Sequence, residues 1–350
     1  MNSFREYYQR SFQLMHIKDP LYRSTSFWEK ACINISQDID KSGLDNFRSN
    51  ETNLNFFVPT YGHPGNSFSK EMTEDILNLL EKKDLKKPQM AQKQYLSGYD
   101  QALSDFRVLL ASNKEFDEID LLSFSESSYG NPIEHFEIEN KFYSRSSMNY
   151  LLGLSFLKSL VPDFSPKTVL EIGGGFGTLG EIFYKIQKGS CKYIDIDLPP
   201  IFYIDYQYVK NACEIKEEDI YISNLDEAED DISISQLPIL SFMPSWEIER
   251  LSGEIDLFVN FISFQEMEPA VVKNYLRKVS ELEPKIILLR NMREGKQKAT
   301  KTSIGVNTPV LGETYTEFLD DYELMGTNVI PYGYKTVDNF NSELYAFLRK

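Results

Sequence analysis

The chain has 350 residues, with 53 acidic against 37 basic side chains and a formal net charge of −16 at pH 7. This charge opposes docking onto phosphate backbones, so a nucleic-acid substrate is not expected. No apolar run reaches the roughly 18 residues of a membrane-spanning helix, no signal peptide is evident, and three dispersed cysteines do not make a disulfide framework, so we expect a cytoplasmic protein without membrane insertion.

The first part of the chain, residues 1–145, is predicted to be a mainly helical accessory region that forms a lid. Helical stretches such as residues 71–83 alternate with turn-rich pieces such as residues 59–68, which contain His63. His135 follows in the turn-rich segment GNPIEHFEIEN, where a cleft between two regions is expected, and is therefore a candidate general base. A hydrogen-bonded structural histidine is the alternative.

From residue 146 to residue 350 the pattern changes to short apolar strands separated by helical segments. This alternation predicts an α/β domain with a Rossmann-like, mostly parallel sheet. The last two strand-like pieces, TNVIPYGY and SELYAFLRK, leave too little room for a crossover helix and predict an antiparallel C-terminal pair. The other strands are predicted at residues 167–172, 191–196, 219–223, 255–261 and 284–290.

The segment TVLEIGGGFG at residues 168–177 predicts a strand that runs into a glycine loop and then a helix, which is typical of a nucleotide-type cofactor site. The loop also fits the dinucleotide pattern G-x-G-x-x-G, which makes NAD one candidate. In that frame, however, Gly180 would lie well inside the helix. The loop fits E-x-G-x-G-x-G better, and the residues of this frame are Glu171, Gly173, Gly175 and Gly177.

This second frame favours a cationic cofactor. Glu171 would repel a pyrophosphate but could pair with the ammonium group of a methionine moiety, so S-adenosylmethionine is favoured over NAD. Asp197, at the end of the next strand, is predicted to accept both ribose hydroxyls, with Asp195 as the alternative ligand and a helix N-cap as the alternative role. Asn224 or Asp226, just past the third strand, is expected to meet the adenine. Asn260, in the fourth strand, is the remaining cofactor-binding candidate.

The glycine frame and the segment IDLP resemble class I S-adenosylmethionine-dependent methyltransferases, in particular the branch that methylates hydroxyls of small molecules. EIDLFVNFISFQEMEP resembles the fourth strand and catalytic turn of that branch. Relatives carry a histidine base and an acid at positions matched here by Gln265 and Glu266. Glutamine cannot accept a proton usefully, so Glu266 is the rival of His135 as base, and Gln265 would orient a sugar hydroxyl. A helix N-terminal acid is the alternative role of Glu266.

Four segments carry a narrower resemblance: GNPIEHFEIENKFYSRSSMNYL before the first strand, the motifs EIGGGFG and FQEM, and the ending PYGYKTVDNFNSELYAFLRK. On these segments the chain, from about residue 124 onward, is similar to bacterial sugar O-methyltransferases associated with surface-polysaccharide genes. The resemblance implies methylation of a sugar hydroxyl in a nucleotide sugar or surface glycan intermediate. No metal ion is predicted, because the sequence shows no dedicated ligand spacing; two carboxylates that hold Mg²⁺ near a sugar diol are the alternative. Arg290 and Asn291, at the end of the fifth strand, are expected to recognise the acceptor. An NAD-dependent sugar oxidoreductase and a non-catalytic partner in glycan assembly are the alternatives, and a homo-oligomer is compatible with the sequence.

Overall fold

The computed structural model describes residues 4–61, 70–83, 97–113, 119–225, 230–300, 305–336 and 339–350. Helices dominate its N-terminal part: α1 (Phe4–Ile17), α2 (Ser26–Ser42), α3 (Glu51–Phe56), α4 (Lys70–Lys82) and α5 (Tyr99–Ser112). Helix α4 confirms the helix predicted at residues 71–83, whereas His63 lies outside the described residues. Within this part, α2 begins at Thr25, whose side chain accepts a hydrogen bond from the Trp28 amide, and ends at Gly43 with a positive φ of 72°.

A short hairpin connects the helical part to the sheet. It consists of β1 (Phe136–Ile138) and β2 (Lys141–Tyr143), and it leads directly into α6 (Arg145–Leu160). Helix α6 starts with a reciprocal capping box between Ser144 and Ser147, which satisfies two backbone donors that would otherwise lack partners. Most of α6 is buried, since it packs between the N-terminal helices and the sheet. The predicted domain boundary at residue 145 stays a prediction.

A sheet of nine strands forms the centre of the molecule. Its strands are β3 (Thr168–Ile172), β4 (Lys192–Asp197), β5 (Ile220–Ile222), β7 (Leu240–Pro244), β9 (Leu257–Phe261), β10 (Ile286–Met292), β11 (Tyr322–Asn328), β12 (Tyr334–Lys335) and β13 (Asn341–Arg349). Their order is β11–β13–β10–β9–β3–β4–β7–β5, with β12 paired to β13. The pairs from β10 to β5 are parallel, and β13 runs antiparallel to both β10 and β11.

This arrangement confirms the predicted fold class, a mostly parallel Rossmann-like sheet with an antiparallel C-terminal pair. It also confirms the five predicted parallel strands, with bounds that differ by two residues or fewer. Helices α7 (Thr178–Ile186), α8 (Ile201–Ala212), α9 (Pro269–Glu281) and α10 (Gly312–Phe318) complete the α/β domain. No helix in the described ranges is both long enough and apolar enough to cross a membrane.

Two features of the sheet differ from the prediction. The predicted strand TNVIPYGY, residues 327–334, covers only the end of β11 and the start of β12, and the strand β7 was not predicted at all. The strand β7 lies between β4 and β5, so the strand that follows β4 in the sequence is not its neighbour in the sheet. All five residues of β7 are buried, which explains how so short a segment contributes a full strand. Two further short strands, β6 (Ile232–Ser233) and β8 (Leu251–Ser252), pair with each other beside it. Because β7 lies between β4 and β5, the strand β5 forms the edge of the large sheet.

The sheet changes direction between β3 and β9. The strands β4, β7 and β5 lie on one side of β3, and β9 and β10 lie on the other side. The strands β3 and β9 therefore flank the topological switch point. In open α/β sheets ligands bind at the carboxyl ends of the strands at such a point. The glycine loop follows β3, which puts it at this position.

Candidate active site

The glycine loop after β3 is held in an unusual backbone conformation. Gly173, Gly175 and Gly177 have φ values of 78°, 68° and 94°, which lie in the left-handed region that glycine adopts readily. Successive amides of the loop donate to the neighbouring strand β4: Gly173 to the Ile196 carbonyl at 2.9 Å, and Gly175 to the Asp197 carboxylate at 3.2 Å. The loop is therefore fixed against β4.

The three glycines differ in what surrounds them. A side chain at Gly177 would overlap the Asp205 carboxylate, and one at Gly173 would overlap Ser263. At Gly175 the nearest atom to an added Cβ is the Phe57 carbonyl oxygen, at 3.9 Å. Gly175 is thus the one member of the three beside which a ligand could approach the backbone without displacing a side chain.

Asp197 lies next to Gly175 at the end of β4 and is half-buried. Its carboxylate accepts hydrogen bonds from the Gly175 amide at 3.2 Å and from the Leu198 amide at 2.6 Å. Burial raises the pKa of Asp197 to about 7. The N-cap position of α8 is Pro200, with no side-chain cap, so the alternative role of Asp197 as a helix N-cap is not observed.

Asp195, the alternative ribose ligand, is fully buried beneath the loop and accepts a hydrogen bond from the Gly174 amide at 3.1 Å. Asp205 of α8, also fully buried, lies against Gly177. Burial raises the pKa of both acids well above the usual range, and repulsion by neighbouring carboxylates adds to it, from Asp205 on Asp195 and from Glu171 and Asp197 on Asp205. This pair supports the loop from below.

Glu171 is fully buried in the middle of this arrangement. Its two carboxylate oxygens accept hydrogen bonds from the hydroxyls of Tyr150 and Tyr193, each at 2.7 Å. Burial raises the pKa of Glu171 to about 8. Its contacts link α6 to β4 through β3, while its expected pairing with a ligand ammonium stays a prediction.

Asn260 is buried at the switch point and joins three strand ends. Its side-chain amide donates to the Ile172 carbonyl of β3 at 2.8 Å, and its oxygen accepts from the Phe264 amide at 3.1 Å and from Asn291 at 3.2 Å. Gln265 continues the same network. Its backbone amide donates to the side-chain oxygen of Asn291 at 3.0 Å, and its side-chain oxygen accepts from the backbone amide of Met292 at 2.9 Å. Asn260 and Gln265 therefore hold the turn after β9 against β10.

Glu266 occupies the catalytic turn predicted after β9. This turn is a short 3-10 helix, Phe264–Glu266, and the N-cap of the following helix is Glu268, so the helix N-terminal role considered for Glu266 is not observed. One carboxylate oxygen of Glu266 pairs with Lys296 at 2.5 Å, and the other accepts a hydrogen bond from the Trp28 indole at 2.9 Å. The carboxylate is largely shielded, with 14% of the side chain exposed.

His135 belongs to a different network. Its Nε2 lies 3.2 Å from the Arg48 guanidinium and 3.6 Å from the Glu126 carboxylate, and its ring stacks on Phe142. Arg48 is fully buried, pairs with Glu126 at 2.6 Å and Glu134 at 2.7 Å, and hydrogen bonds to its surroundings through every nitrogen of the guanidinium. His135 therefore shares a charge cluster with a buried cation, and the two predicted bases are not brought together.

This cluster extends to the glycine loop. The Arg48 guanidinium lies 4.7 Å from the ring centre of Phe176, which sits between Gly175 and Gly177, and donates to the Tyr208 hydroxyl at 3.1 Å. Sequence reasoning missed Arg48 and Trp28, because nothing in their local sequence indicates contacts with residues more than 100 positions away. They show that part of the N-terminal region reaches the candidate site.

We refer to residues 26–57, from the start of α2 to Phe57, as the cover segment. Besides Arg48, three of its residues meet the site: Trp28 at Glu266, Phe57 over Gly175, and the fully buried Cys32, whose thiol pKa is raised by burial and by the nearby Asp197 carboxylate. The cover segment thus closes the carboxyl edge of the sheet.

Asn224, the adenine candidate, is exposed after the edge strand β5. Because β7 intervenes, Asn224 is one strand further from β4 than chain order suggested, and Ser245 and Trp246 follow the strand that neighbours β4. Asp226 lies outside the described residues. The role of Asn224 stays a prediction.

Several solved structures can be superposed on this chain. The magnesium protoporphyrin IX methyltransferase of Synechocystis, crystallised with S-adenosylhomocysteine, has a TM-score of 0.39 and 10% identity over 59% of this chain and 85% of its own. The 1,6-didemethyltoxoflavin N1-methyltransferase of Burkholderia thailandensis has a TM-score of 0.38 and 12% identity over 57% and 76%. A methyltransferase of Aquifex aeolicus has a TM-score of 0.33 and 15% identity over 56% and 89%.

Likeness of this degree assigns no cofactor, substrate or residue role to this chain. No protein-family model matches the chain, and neither does any curated protein sequence.

In the described part of the chain, no group of three or more His, Cys, Asp or Glu side chains is arranged to hold a metal ion.

A small apolar cavity of about 10 Å³ is lined by Leu121, Leu157 and Phe183 among others. It lies away from the glycine loop and is too small for a ligand.

Proposed function

We propose that this chain is an S-adenosylmethionine-dependent O-methyltransferase that acts in the cytoplasm on a sugar hydroxyl, in a nucleotide sugar or a surface glycan intermediate. The observation that carries the proposal is the pairing of an unobstructed glycine, Gly175, with the half-buried carboxylate of Asp197 at the switch point of the sheet. The sugar acceptor rests on the sequence resemblance, and residues 1–145 are proposed as the lid.

The residues around Gly175 fit this cofactor. A carboxylate offers about four acceptor positions, and Asp197 uses one on each oxygen for the amides of Gly175 and Leu198, so both oxygens can still accept a ribose hydroxyl. The backbone of Gly175 would face the methionine portion, and Gly173 and Gly177 would support it by holding the loop in its left-handed conformation. S-adenosylmethionine supplies a methyl group on a sulfonium, which is already activated for transfer.

Among the protein's own groups, Glu266 is the proposed base that removes the hydroxyl proton. It lies beyond β9 at the ligand-binding edge, and Lys296 and Trp28 fix its two oxygens. His135 is less suited, because its Nε2 faces the Arg48 guanidinium. Gln265 and Asn260 position the turn that carries Glu266, and the cover segment excludes water.

The first experiment is calorimetric titration of the protein with S-adenosylhomocysteine and, separately, with NAD. We expect micromolar binding of S-adenosylhomocysteine alone, and its loss in Gly175→Arg, because the new side chain fills the approach to the loop. Gly43→Arg is the matched control: Gly43 also has a positive φ, 72°, and open space around it, but it ends α2. Binding of NAD alone would indicate an oxidoreductase, and binding of neither compound a non-catalytic partner.

The base is tested with a labelled methyl donor and a panel of sugar acceptors. Glu266→Gln should reduce kcat by roughly 10²-fold to 10⁴-fold while leaving S-adenosylhomocysteine affinity within about threefold, because general-base catalysis contributes on this order. His135→Gln should retain most of kcat. The reverse pattern would assign the base to His135.

A further inference from the structure

A second group of polar side chains lies at the same edge of the sheet, at the end of β10. Arg290 is fully buried there, and its guanidinium lies 5.3 Å from the ring centre of Phe261 and 5.7 Å from that of Tyr334. Its Nη2 donates to the Tyr332 carbonyl at 2.8 Å. Across the described residues, Nε and Nη1 have no hydrogen-bond acceptor.

Arg145, the first residue of α6, adds a second cation. It is half-buried, donates to the Thr60 carbonyl at 3.1 Å, and lies 4.8 Å from the centre of the same Tyr334 ring. The nearest acid in this group is Asp105, which accepts a hydrogen bond from Tyr61 and whose pKa is raised by burial. Within the described ranges neither arginine forms an ion pair.

A buried guanidinium with unpaired donors is costly, because it has lost its hydration without gaining a counter-charge. Burial lowers the pKa of Arg290, which is the signature of that cost. Arginine donors match the oxygens of carboxylates and phosphates better than any other side chain does. An oxyanion at this point would satisfy Nε and Nη1 and balance the two positive charges.

The position of Arg290 relates this site to the acceptor. In the sheet Arg290 is paired with Phe261 of β9, and Phe261 stacks at 4.9 Å on Tyr150, whose hydroxyl donates to Glu171 below the glycine loop. The orphaned donors therefore lie beside the cofactor loop, over β9 and β10, where the second substrate of a two-substrate reaction would bind.

We propose that Arg290, assisted by Arg145, binds an oxyanion on the acceptor, so that the sugar substrate carries a phosphate or a carboxylate. This inference rests on the proposed function, since it names the acceptor of the same site. It narrows the acceptor to sugar phosphates, nucleotide sugars and uronic acids and excludes neutral free sugars.

The test measures binding of inorganic phosphate by calorimetry and by the shift in melting temperature, with chloride at the same ionic strength as reference. We expect the wild-type protein to bind phosphate and Arg290→Met to lose at least tenfold in affinity. Arg349→Met is the matched control, because it removes one positive charge from an exposed side chain at the opposite end of the sheet. Equal effects of phosphate on all three proteins, or no binding to wild type, would overturn the proposal.

Stability separates a binding role from a structural one. Without phosphate, Arg290→Met should melt no lower than wild type, since an apolar side chain replaces an unpaired charge. A large fall in melting temperature together with no phosphate binding by wild type would make Arg290 a structural residue. If Arg290→Met does not fold, Arg145→Met provides the same test, because Arg145 is half-buried and its loss should still weaken phosphate binding.

Competition identifies the source of the anion. α-D-Glucose 1-phosphate or D-glucuronate should displace phosphate, whereas D-glucose should not. The better of the two competitors tells whether the anionic group of the acceptor is a phosphate or a carboxylate. Displacement by S-adenosylhomocysteine would assign the anion to the cofactor carboxylate and contradict the acceptor assignment. Failure of the proposed function is distinguishable, because phosphate binding without any S-adenosylhomocysteine binding would leave the anion site standing and remove the cofactor.

Discussion

Gly175 and Gly177 are two positions apart and share a left-handed backbone, with φ values of 68° and 94°, but only Gly177 is crowded. An alanine at either position bears the conformational cost of a positive φ, about 1–2 kcal/mol. At Gly177 the methyl group would also overlap the Asp205 carboxylate. The two residues therefore separate the need for a backbone conformation from the need for space.

We predict that Gly177→Ala lowers the free energy of unfolding by about 2–5 kcal/mol, because overpacking adds about 1–3 kcal/mol to the conformational cost of about 1–2 kcal/mol. Gly175→Ala should lose only about 1–2 kcal/mol. Urea denaturation of both variants measures the difference. Equal losses would mean that Asp205 moves away at little cost.

The four carboxyl groups near the loop give the protein an unusual pH dependence. Burial raises the pKa of Glu171 to about 8, of Asp197 to about 7, and of Asp195 and Asp205 well above the usual range. A carboxyl group with a higher pKa in the folded chain keeps its proton there while the unfolded chain has lost it. Between about pH 4 and pH 8 the folded state therefore binds more protons, and the free energy of unfolding falls as pH rises.

Replacing one of these acids with its neutral isostere should reduce the decrease in the free energy of unfolding at high pH. Asp205→Asn is expected to be more stable than wild type at pH 8 by about 1 kcal/mol or more, and to show a smaller gain at pH 5, because one unit of pKa shift corresponds to about 1.4 kcal/mol. Urea unfolding at the two pH values tests this, with the exposed Asp163→Asn as control. A gain that is larger at pH 5 would contradict the assignment.

Among the elements, the cover segment is attached to the sheet domain by a buried ion cluster. Arg48 pairs with Glu126 and Glu134, donates to Tyr208 of α8, and lies over Phe176 of the glycine loop. A buried charge cluster of this kind adds little net stability as a unit, but removal of one partner leaves the others uncompensated. Arg48 therefore fixes where the cover segment docks.

Arg48→Ala should lower the free energy of unfolding by about 3–5 kcal/mol, because Glu126 and Glu134 would remain buried without a counter-charge. The control is Arg5→Ala, which removes an ion pair with Asp40 at 2.9 Å whose arginine side chain is 68% exposed. Such surface pairs contribute about 1 kcal/mol or less. A similar small loss in both variants, measured by urea denaturation, would show that Arg48 is not a docking residue.

At the scale of the whole molecule, the cover segment closes the candidate site, and the proposed reaction requires it to open for substrates to enter. Cys32 reports on this opening, because its thiol lies on the buried side of the cover segment and near Asp197. Thiol reagents should react with it only when the segment lifts away, and a ligand that holds the segment down should slow the reaction.

In a Cys191→Ser, Cys213→Ser background, we expect S-adenosylhomocysteine to slow labelling of Cys32 at least tenfold at saturating concentration. The measurement is the rate of reaction with a chromogenic disulfide reagent. The same experiment in the Gly175→Arg variant should show no protection. Protection in both proteins would mean that the ligand acts elsewhere.

The features of the fold that could be predicted from the sequence are those that depend on a pattern of neighbouring residues. The glycine frame and the strand that precedes it are contiguous, so both could be read from a few neighbouring residues, as could the antiparallel C-terminal pair. The strand β7 was missed because its five residues, LSFMP, are followed by no regular crossover helix and end in proline. The contacts of Arg48 and Trp28 were missed because they join side chains far apart in the chain, which no local periodicity reveals.

The network around Asn260 has a mechanical consequence. Because one amide side chain ties the ends of β3 and β10 and the turn after β9, these three points move as one rigid edge. In the proposed reaction, the distance between a methyl donor bound at the glycine loop and an acceptor bound at the end of β10 would then be set by the sheet and would not change during the catalytic cycle. The cover segment would then determine how often the site opens and would not affect the distance between donor and acceptor. Variants in this segment should therefore change the turnover rate and leave the geometry of each transfer unchanged.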